Sequence, residues 1–397
     1  MSSLSLYLQF LCFHLIVSVK SEAQLAYIAE KVPALFVFGD SIFDCGNKYS
    51  DHSFIKANYL PYGIDFPVPA SGRYTNGRTI ADFLSLHLNL SLSTPYSVVR
   101  DDKKIKITEG FNYASATAGI LPDTGSELEG TMSLDKQIML FKETVEEYLP
   151  QHFKNTAEIS QYVLDSVFAI LIGSNDYLGN YLNKKYNNAT GRYNGDEFAN
   201  LLISNLEKQL KNLYNLGARK ILMFEIGPLG CTPLVVSKMK PDDKCVEVVN
   251  SMVTMFNGKL YFKLMDLTNS LKGLTFYLAL TYRLLYDMVE NPTRFGLKNS
   301  THPCCVIKQN GGQCIPYENP CSERNLYVFW DEVHLTEAAY KIIPRKCFSD
   351  SSICFRINHL NVDGHVVISV QHSHRPNIIF SSCNFLFLTI IFLIIPV

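Results

Sequence analysis

A three-layer α/β fold, with a mostly parallel central sheet between two layers of helices, is predicted by three features of the sequence. Short unbroken apolar runs alternate along the chain with longer stretches of helical spacing. Near the middle a strand, a helix and a second strand follow one another as a βαβ crossover, the connection that parallel pairing requires. The polar residues best suited to chemistry stand just past the ends of apolar runs, at the edge where open parallel sheets bind ligands.

Taken in order, Ala34 to Phe38 is apolar throughout, the pattern of a strand buried on both faces, and it stops at Gly39-Asp40-Ser41. Asn58 to Pro69, rich in Pro, Gly and aromatic residues, is a loop near that edge. Arg73 to Thr79 carries a turn signal and leads into a short helix, Ile80 to Leu88. Asn112 to Leu121, NYASATAGIL, has small residues that permit close backbone approach. Leu134, Ile138, Phe141, Val145 and Tyr148 fall at helical spacing and predict a helix from Leu134 to Leu149 with a core-facing stripe.

A strand from Val167 to Ile172 ends at Gly173-Ser174-Asn175-Asp176 and passes through a polar loop to a helix from Asp196 to Leu216. Phe198, Leu202, Leu206, Leu210 and Leu213 line one face of that helix, Gly217 caps it, and Lys220 to Glu225 is the next strand. A helix from Val246 to about Leu271, a strand from Thr275 to Leu280 and a helix beginning near Thr336 complete the pattern.

The 397 residues carry a net charge of −1 and no basic run, which removes the electrostatic reason to expect nucleic acid. Residues 1–23 resemble a secretory signal, an apolar run followed by Ser21-Glu22-Ala23, although Lys20 follows the run rather than preceding it. The domain is expected over residues 32–358, followed by a polar stretch with four histidines and an apolar segment from Ile378. That segment is a marginal membrane anchor, so secretion and tail anchoring, with a weak membrane association, both stay open.

In an oxidising compartment, with Cys12 of the signal-like segment and Cys383 of the tail set aside, Cys231 with Cys245, Cys347 with Cys354, and the cluster Cys304, Cys305, Cys314 and Cys321 suit local disulfides, leaving Cys45 as the odd thiol. Asn89, Asn188 and Asn299 head glycosylation triplets that are usable if the chain enters the secretory route.

A serine hydroxyl is a weak nucleophile and needs a base and oxyanion donors. Both are on offer. FWDEVH places Asp331 and His334 three residues apart, so that the carboxylate can hold one imidazole nitrogen and aim the other outward. Asn175 puts a carboxamide at another strand end, whereas His87 and His302 lack matching partners and read as structural.

With these residues in view, the chain resembles a plant GDSL esterase/lipase of the SGNH hydrolase superfamily. FVFGDSIFDCGN, NYASATAGIL, GSND and FWDEVH stand in the order of the family's four blocks. No Gly-x-Ser-x-Gly elbow is present, which argues against the ordinary α/β-hydrolase fold.

The resemblance implies a flavodoxin-like SGNH hydrolase fold and hydrolysis of carboxylic esters without a cofactor or metal. It implies Ser41 as nucleophile, His334 as base and Asp331 as its orienting group. The oxyanion donors would be the N–H groups of Ser41 and Ala116 and the side chain of Asn175, with Gly39, Asp40 and Gly173 in support. Where relatives commonly have Gly, this chain has Ala116, which serves if its φ is not positive. An acyltransferase on the same site, or a catalytically weak secreted binding glycoprotein, remain the alternatives.

Overall fold

The computed structural model describes residues 32–47, 55–102, 106–183, 189–308 and 312–357, all within the first of two units, Met1–His359. The signal-like segment, Asn188 and everything after residue 357 lie outside the described residues.

Five strands form one sheet in the order β1 (Leu35–Gly39), β2 (Val167–Leu171), β3 (Lys220–Phe224), β4 (Thr275–Ala279) and β5 (Cys354–Arg356). The first four are parallel and the last is antiparallel. Along the free edge of β1, residues 109–113 run parallel to it: Leu35 N–H donates to Glu109 C=O and Val37 N–H to Phe111 C=O, both at 2.9 Å, and Tyr113 N–H donates to Val37 C=O at 2.8 Å. With that segment counted as the second strand, the parallel part runs 2-1-3-4-5, the flavodoxin-like order, which reverses between β1 and β2.

Alternation along the strands sorts the helices into two layers, because successive side chains point to opposite faces. Phe36, Phe38, Phe168, Ile170, Ile221 and Met223 pack with α2 (Leu134–Glu143), α3 (Thr156–Asp165), α4 (Gly195–Asn215) and α5 (Glu247–Ser270). Leu35, Val37, Ala169, Leu171 and Leu222 pack on the other face with α1 (Ile80–His87), α6 (Thr281–Glu290) and α7 (Glu337–Ser349). The predicted three-layer α/β sandwich is therefore the observed one. Each fully buried Phe of this core contributes roughly 1.5–3 kcal/mol through apolar area removed from water.

The predicted helix from Leu134 to Leu149 is α-helical only to Glu143; a wider π turn, Thr144–Tyr148, and a short 3₁₀ turn, Leu149–Gln151, follow. Thr144 explains the break locally. Its hydroxyl bonds to Leu140 C=O at 3.0 Å and meets the Tyr113 hydroxyl at 2.7 Å, competing with the regular ladder.

Four disulfides close: the expected Cys231–Cys245 and Cys347–Cys354, and, within the cluster whose pairing the sequence leaves open, Cys304–Cys321 and Cys305–Cys314. Cys45 is buried and free, and burial pushes its thiol pKa up, which keeps it unreactive. Among the described residues no helix is long and apolar enough to cross a membrane. Of the glycosylation triplets, Asn89 is exposed just after α1, whereas Asn299 is half-buried with its Oδ1 accepting from the N–H groups of Thr301 and His302.

Candidate active site

The turn after β1 is built for a glycine followed by a buried acid. A Cβ on Gly39, whose φ is 156°, would stand 2.3 Å from the Leu171 carbonyl oxygen of the neighbouring strand. Gln137 of α2 clamps the same residue from the side: Gly39 N–H donates to Gln137 Oε1 and Gln137 Nε2 donates to Gly39 C=O, both at 2.8 Å. Asp40 then curls the chain, its Oδ1 accepting from Ile42 N–H at 3.0 Å and its carbonyl accepting from the N–H groups of Phe43 and Asp44. Ser41 rides this turn half-buried, at the reversal point between β1 and β2.

His334 meets it from 293 residues away. Its Nε2 lies 2.7 Å from Ser41 Oγ, and its Nδ1 lies 2.7 Å from Asp331 Oδ2 and 3.0 Å from Oδ1. An ionised carboxylate only accepts, so Nδ1 carries the proton and Nε2 offers its lone pair to the serine hydroxyl. The loop that carries both residues is fixed by a bridge between Phe329 and Leu335 and by Trp330 N–H donating to His334 C=O at 2.8 Å. Asp331 is wholly buried and fully used: Oδ1 accepts from the N–H groups of Val333 (2.8 Å) and His334 (2.7 Å), and Oδ2 also accepts from the Tyr62 hydroxyl at 2.7 Å.

Tyr62 was not singled out from the sequence. It comes from the aromatic loop expected near this edge, and burial together with the Asp331 charge pushes its pKa well up, so it stays a donor. Cys314 N–H donates to the same hydroxyl at 3.3 Å, and the N–H groups of Cys304 and Cys305 hold Trp330 C=O. Two disulfides thus brace the loop behind Asp331. Tyr74 completes the wall, its ring centroid 5.1 Å from that of His334.

The second and third blocks arrive beside Ser41 through asparagine cross-links. Asn47 Nδ2 donates to the carbonyls of Asn112 (2.8 Å) and Ala114 (3.0 Å), and Asn112 Nδ2 donates to Phe43 C=O at 2.7 Å. Asp176 ties the third block to the second by accepting from the N–H groups of Ile120 (2.8 Å) and Leu121 (3.0 Å). Gly173 has φ 119°, and a Cβ there would press against Ile226 at 2.7 Å.

Arg73 anchors the first block to α1. Its guanidinium forms a two-pronged pair with the wholly buried Asp82 at 2.7 and 2.9 Å and donates to Cys45 C=O at 2.9 Å. Removing either partner alone would strand a buried charge, at a cost of about 3–5 kcal/mol.

Of the three expected oxyanion donors, two are free. Among the described residues, Ser41 N–H has no partner, and Asn175 Nδ2 uses one hydrogen on Ala118 C=O at 3.0 Å and keeps the other. The Ala116 N–H is already engaged, donating to Asp44 Oδ2 at 3.1 Å. The positive φ of this loop falls on Thr117, at 64°, so alanine at 116 costs nothing in backbone strain. His87 packs edge-on against Phe348, and His302 bonds to Thr301; neither reaches the site.

Burial raises several carboxyls around these loops, Asp40 to about 7 and Asp44 and Asp176 to about 6, each against the opposing pull of the N–H groups it accepts from. Their folded pKa values exceed the ordinary carboxylate range, so the native state keeps protons that the unfolded chain has already lost between about pH 4 and 7. The stability they provide is complete below about pH 4 and is lost as pH rises through about 6 to 7. The melting temperature should accordingly fall by at least a few degrees between pH 5 and pH 8 in a calorimetric scan; a rise over that interval would contradict the assignment.

Residues 35–346 match the family model for GDSL-like lipase/acylhydrolases. The chain is 42% identical over 324 residues to GDSL esterase/lipase 7 of Arabidopsis thaliana, covering 81% of this chain and 88% of that protein. Two further GDSL esterase/lipases of the same plant are 40% identical over 330 residues (82% of this chain, 84% of the relative) and 38% over 345 residues (86% and 92%). The matched span holds the serine turn, the asparagine of the third block and the aspartate–histidine loop alike: the chain belongs to the GDSL-like lipase/acylhydrolase family.

Proposed function

We propose that this protein hydrolyses carboxylic esters through a covalent acyl-serine intermediate. The observation that carries the proposal is the 2.7 Å separation of His334 Nε2 from Ser41 Oγ, with Asp331 on the opposite ring nitrogen. In the acylation step Ser41 Oγ attacks the ester carbonyl while His334 takes its proton and Asp331 stabilises the imidazolium. Collapse of the tetrahedral intermediate expels the alcohol, to which His334 returns the proton. Water, deprotonated by the same imidazole, then attacks the acyl-serine and releases the acid.

The oxyanion is received by Ser41 N–H and the free hydrogen of Asn175 Nδ2, and Ala116 joins them by sharing the N–H that Asp44 holds in the resting site. Gly39, Asp40 and Gly173 shape the two turns that aim these donors. The four disulfides favour a secreted protein, since such bonds persist in oxidising compartments.

Turnover of a short chromogenic ester tests the reading. The wild type should hydrolyse it, and Asn175→Ala should lower kcat about 10²–10³-fold, the loss of one oxyanion donor. Full activity in that variant would remove Asn175 from the mechanism, and a wild type inert toward every ester would remove the mechanism itself.

A further inference from the structure

An apolar cavity lies against the serine turn, and its wall is continuous with each catalytic loop. Ile42 follows Ser41, Ser174 precedes Asn175 and Val333 precedes His334, and all three line it. Leu285 and Val289 of α6 also line it. The space open to the centre of a water-sized sphere is about 60 Å³. At roughly 10–15 Å³ per water-sized group, that is room for about four to six such groups, each about the size of a methylene.

Two of the polar groups on the wall bear on what the cavity can hold. Ser174 Oγ is buried without a hydrogen-bond partner, which is rare for a buried hydroxyl. Glu225 is the one acidic side chain among the lining residues; it accepts from Tyr282 N–H at 3.1 Å, and burial raises its pKa to about 7, so the wall is uncharged in mildly acidic solution.

We propose that this cavity is the acyl-binding pocket, that it takes an unbranched aliphatic acyl chain, and that it limits the chain to about four to six carbons. The inference rests on the ester-hydrolase reading above and adds the substrate class. An ester whose carbonyl carbon sits at Ser41 Oγ would lead its chain past Ile42 and Val333 toward α6, and each methylene buried there gains about fourfold in kcat/KM. Beyond the pocket's length the chain meets Leu285 and Val289 and the gain stops.

The test is hydrolysis of a p-nitrophenyl ester series from acetate to dodecanoate at pH 5.5, by wild type and two pocket variants. Wild-type kcat/KM should climb at least tenfold from acetate to a maximum between butanoate and hexanoate, then fall. Val289→Phe, which fills the pocket, should lower the hexanoate-to-acetate ratio at least tenfold. Leu285→Ala, which lengthens it, should move the maximum to a longer chain and carries the test alone if Val289→Phe does not fold.

A wild-type profile that is flat or peaks at ten carbons or more overturns the inference, as does a ratio unmoved in the folded variants, and both outcomes leave the hydrolase reading intact. Absence of turnover across the whole series overturns that reading and the pocket with it.

Discussion

Ser41→Ala loses about 10⁴–10⁶ of its ester turnover while keeping the fold of the wild type. The size of the effect follows from the chemistry. No other hydroxyl or thiol in the described site stands against His334 Nε2, and Cys45 is buried with its pKa raised. What survives is the part of catalysis supplied by the oxyanion donors and by substrate binding, on the order of 10³–10⁴ over the reaction in water.

Stability barely changes, because Ser41 is half-buried and contributes one side-chain hydrogen bond, worth about 1 kcal/mol. The check is kcat on a short ester together with a thermal melt. A variant that retains a tenth of wild-type turnover would show that the reaction does not run through Oγ.

Asp331→Asn is expected to cost about 10⁴ in kcat with little change in KM. Asp331 Oδ1 already accepts two backbone N–H groups, so an asparagine oxygen would stay there and its NH₂ would take the place of Oδ2. That NH₂ would face two donors, the Tyr62 hydroxyl and His334 Nδ1–H, which now meet the carboxylate at 2.7 Å each. Relief comes by moving the imidazole proton to Nε2, and a protonated Nε2 cannot accept from Ser41. The variant stays folded but holds the wrong tautomer, so kcat falls and substrate binding does not. Loss confined to KM would contradict the role given to Asp331.

Much of this architecture is legible in the chain because the signals are local. The four parallel strands are each five residues of nearly unbroken apolar sequence; three expected runs differ from the observed bounds by one residue at one end, and that of β1 is shifted by one residue at both. The disulfide partners are close in sequence, between 7 and 17 residues apart, so proximity pairs Cys231 with Cys245 and Cys347 with Cys354, whereas the nested pairing of Cys304 with Cys321 and Cys305 with Cys314 is set by the fold. Ser41, Asn175, Asp331 and His334 each follow a recognisable run or turn.

What the sequence hides is non-local or short. Strand β5 has three residues and pairs antiparallel with β4, too brief for any periodicity to register. Helices α3 and α6 were not assigned from the sequence; α6 begins directly after the last residues of a strand, with no loop to mark its start. The hydroxyl that orients Asp331 belongs to Tyr62, 269 residues earlier, in a loop whose position near the edge was foreseen but whose working residue was not. Ala116 is the instructive case, since its type and backbone suit an oxyanion donor, yet its N–H is held by Asp44 from 72 residues away. Only the packed structure reveals that competition.

The central claim is that Ser41 Oγ is the atom acylated by substrate, and a fluorophosphonate tests it most directly, because it traps an activated serine without the need to guess a substrate. Peptide mass spectrometry of the labelled protein should find one adduct, on Ser41, that disappears in Ser41→Ala and forms far more slowly in His334→Ala. An adduct on any other residue, or labelling that persists in Ser41→Ala, would contradict the account.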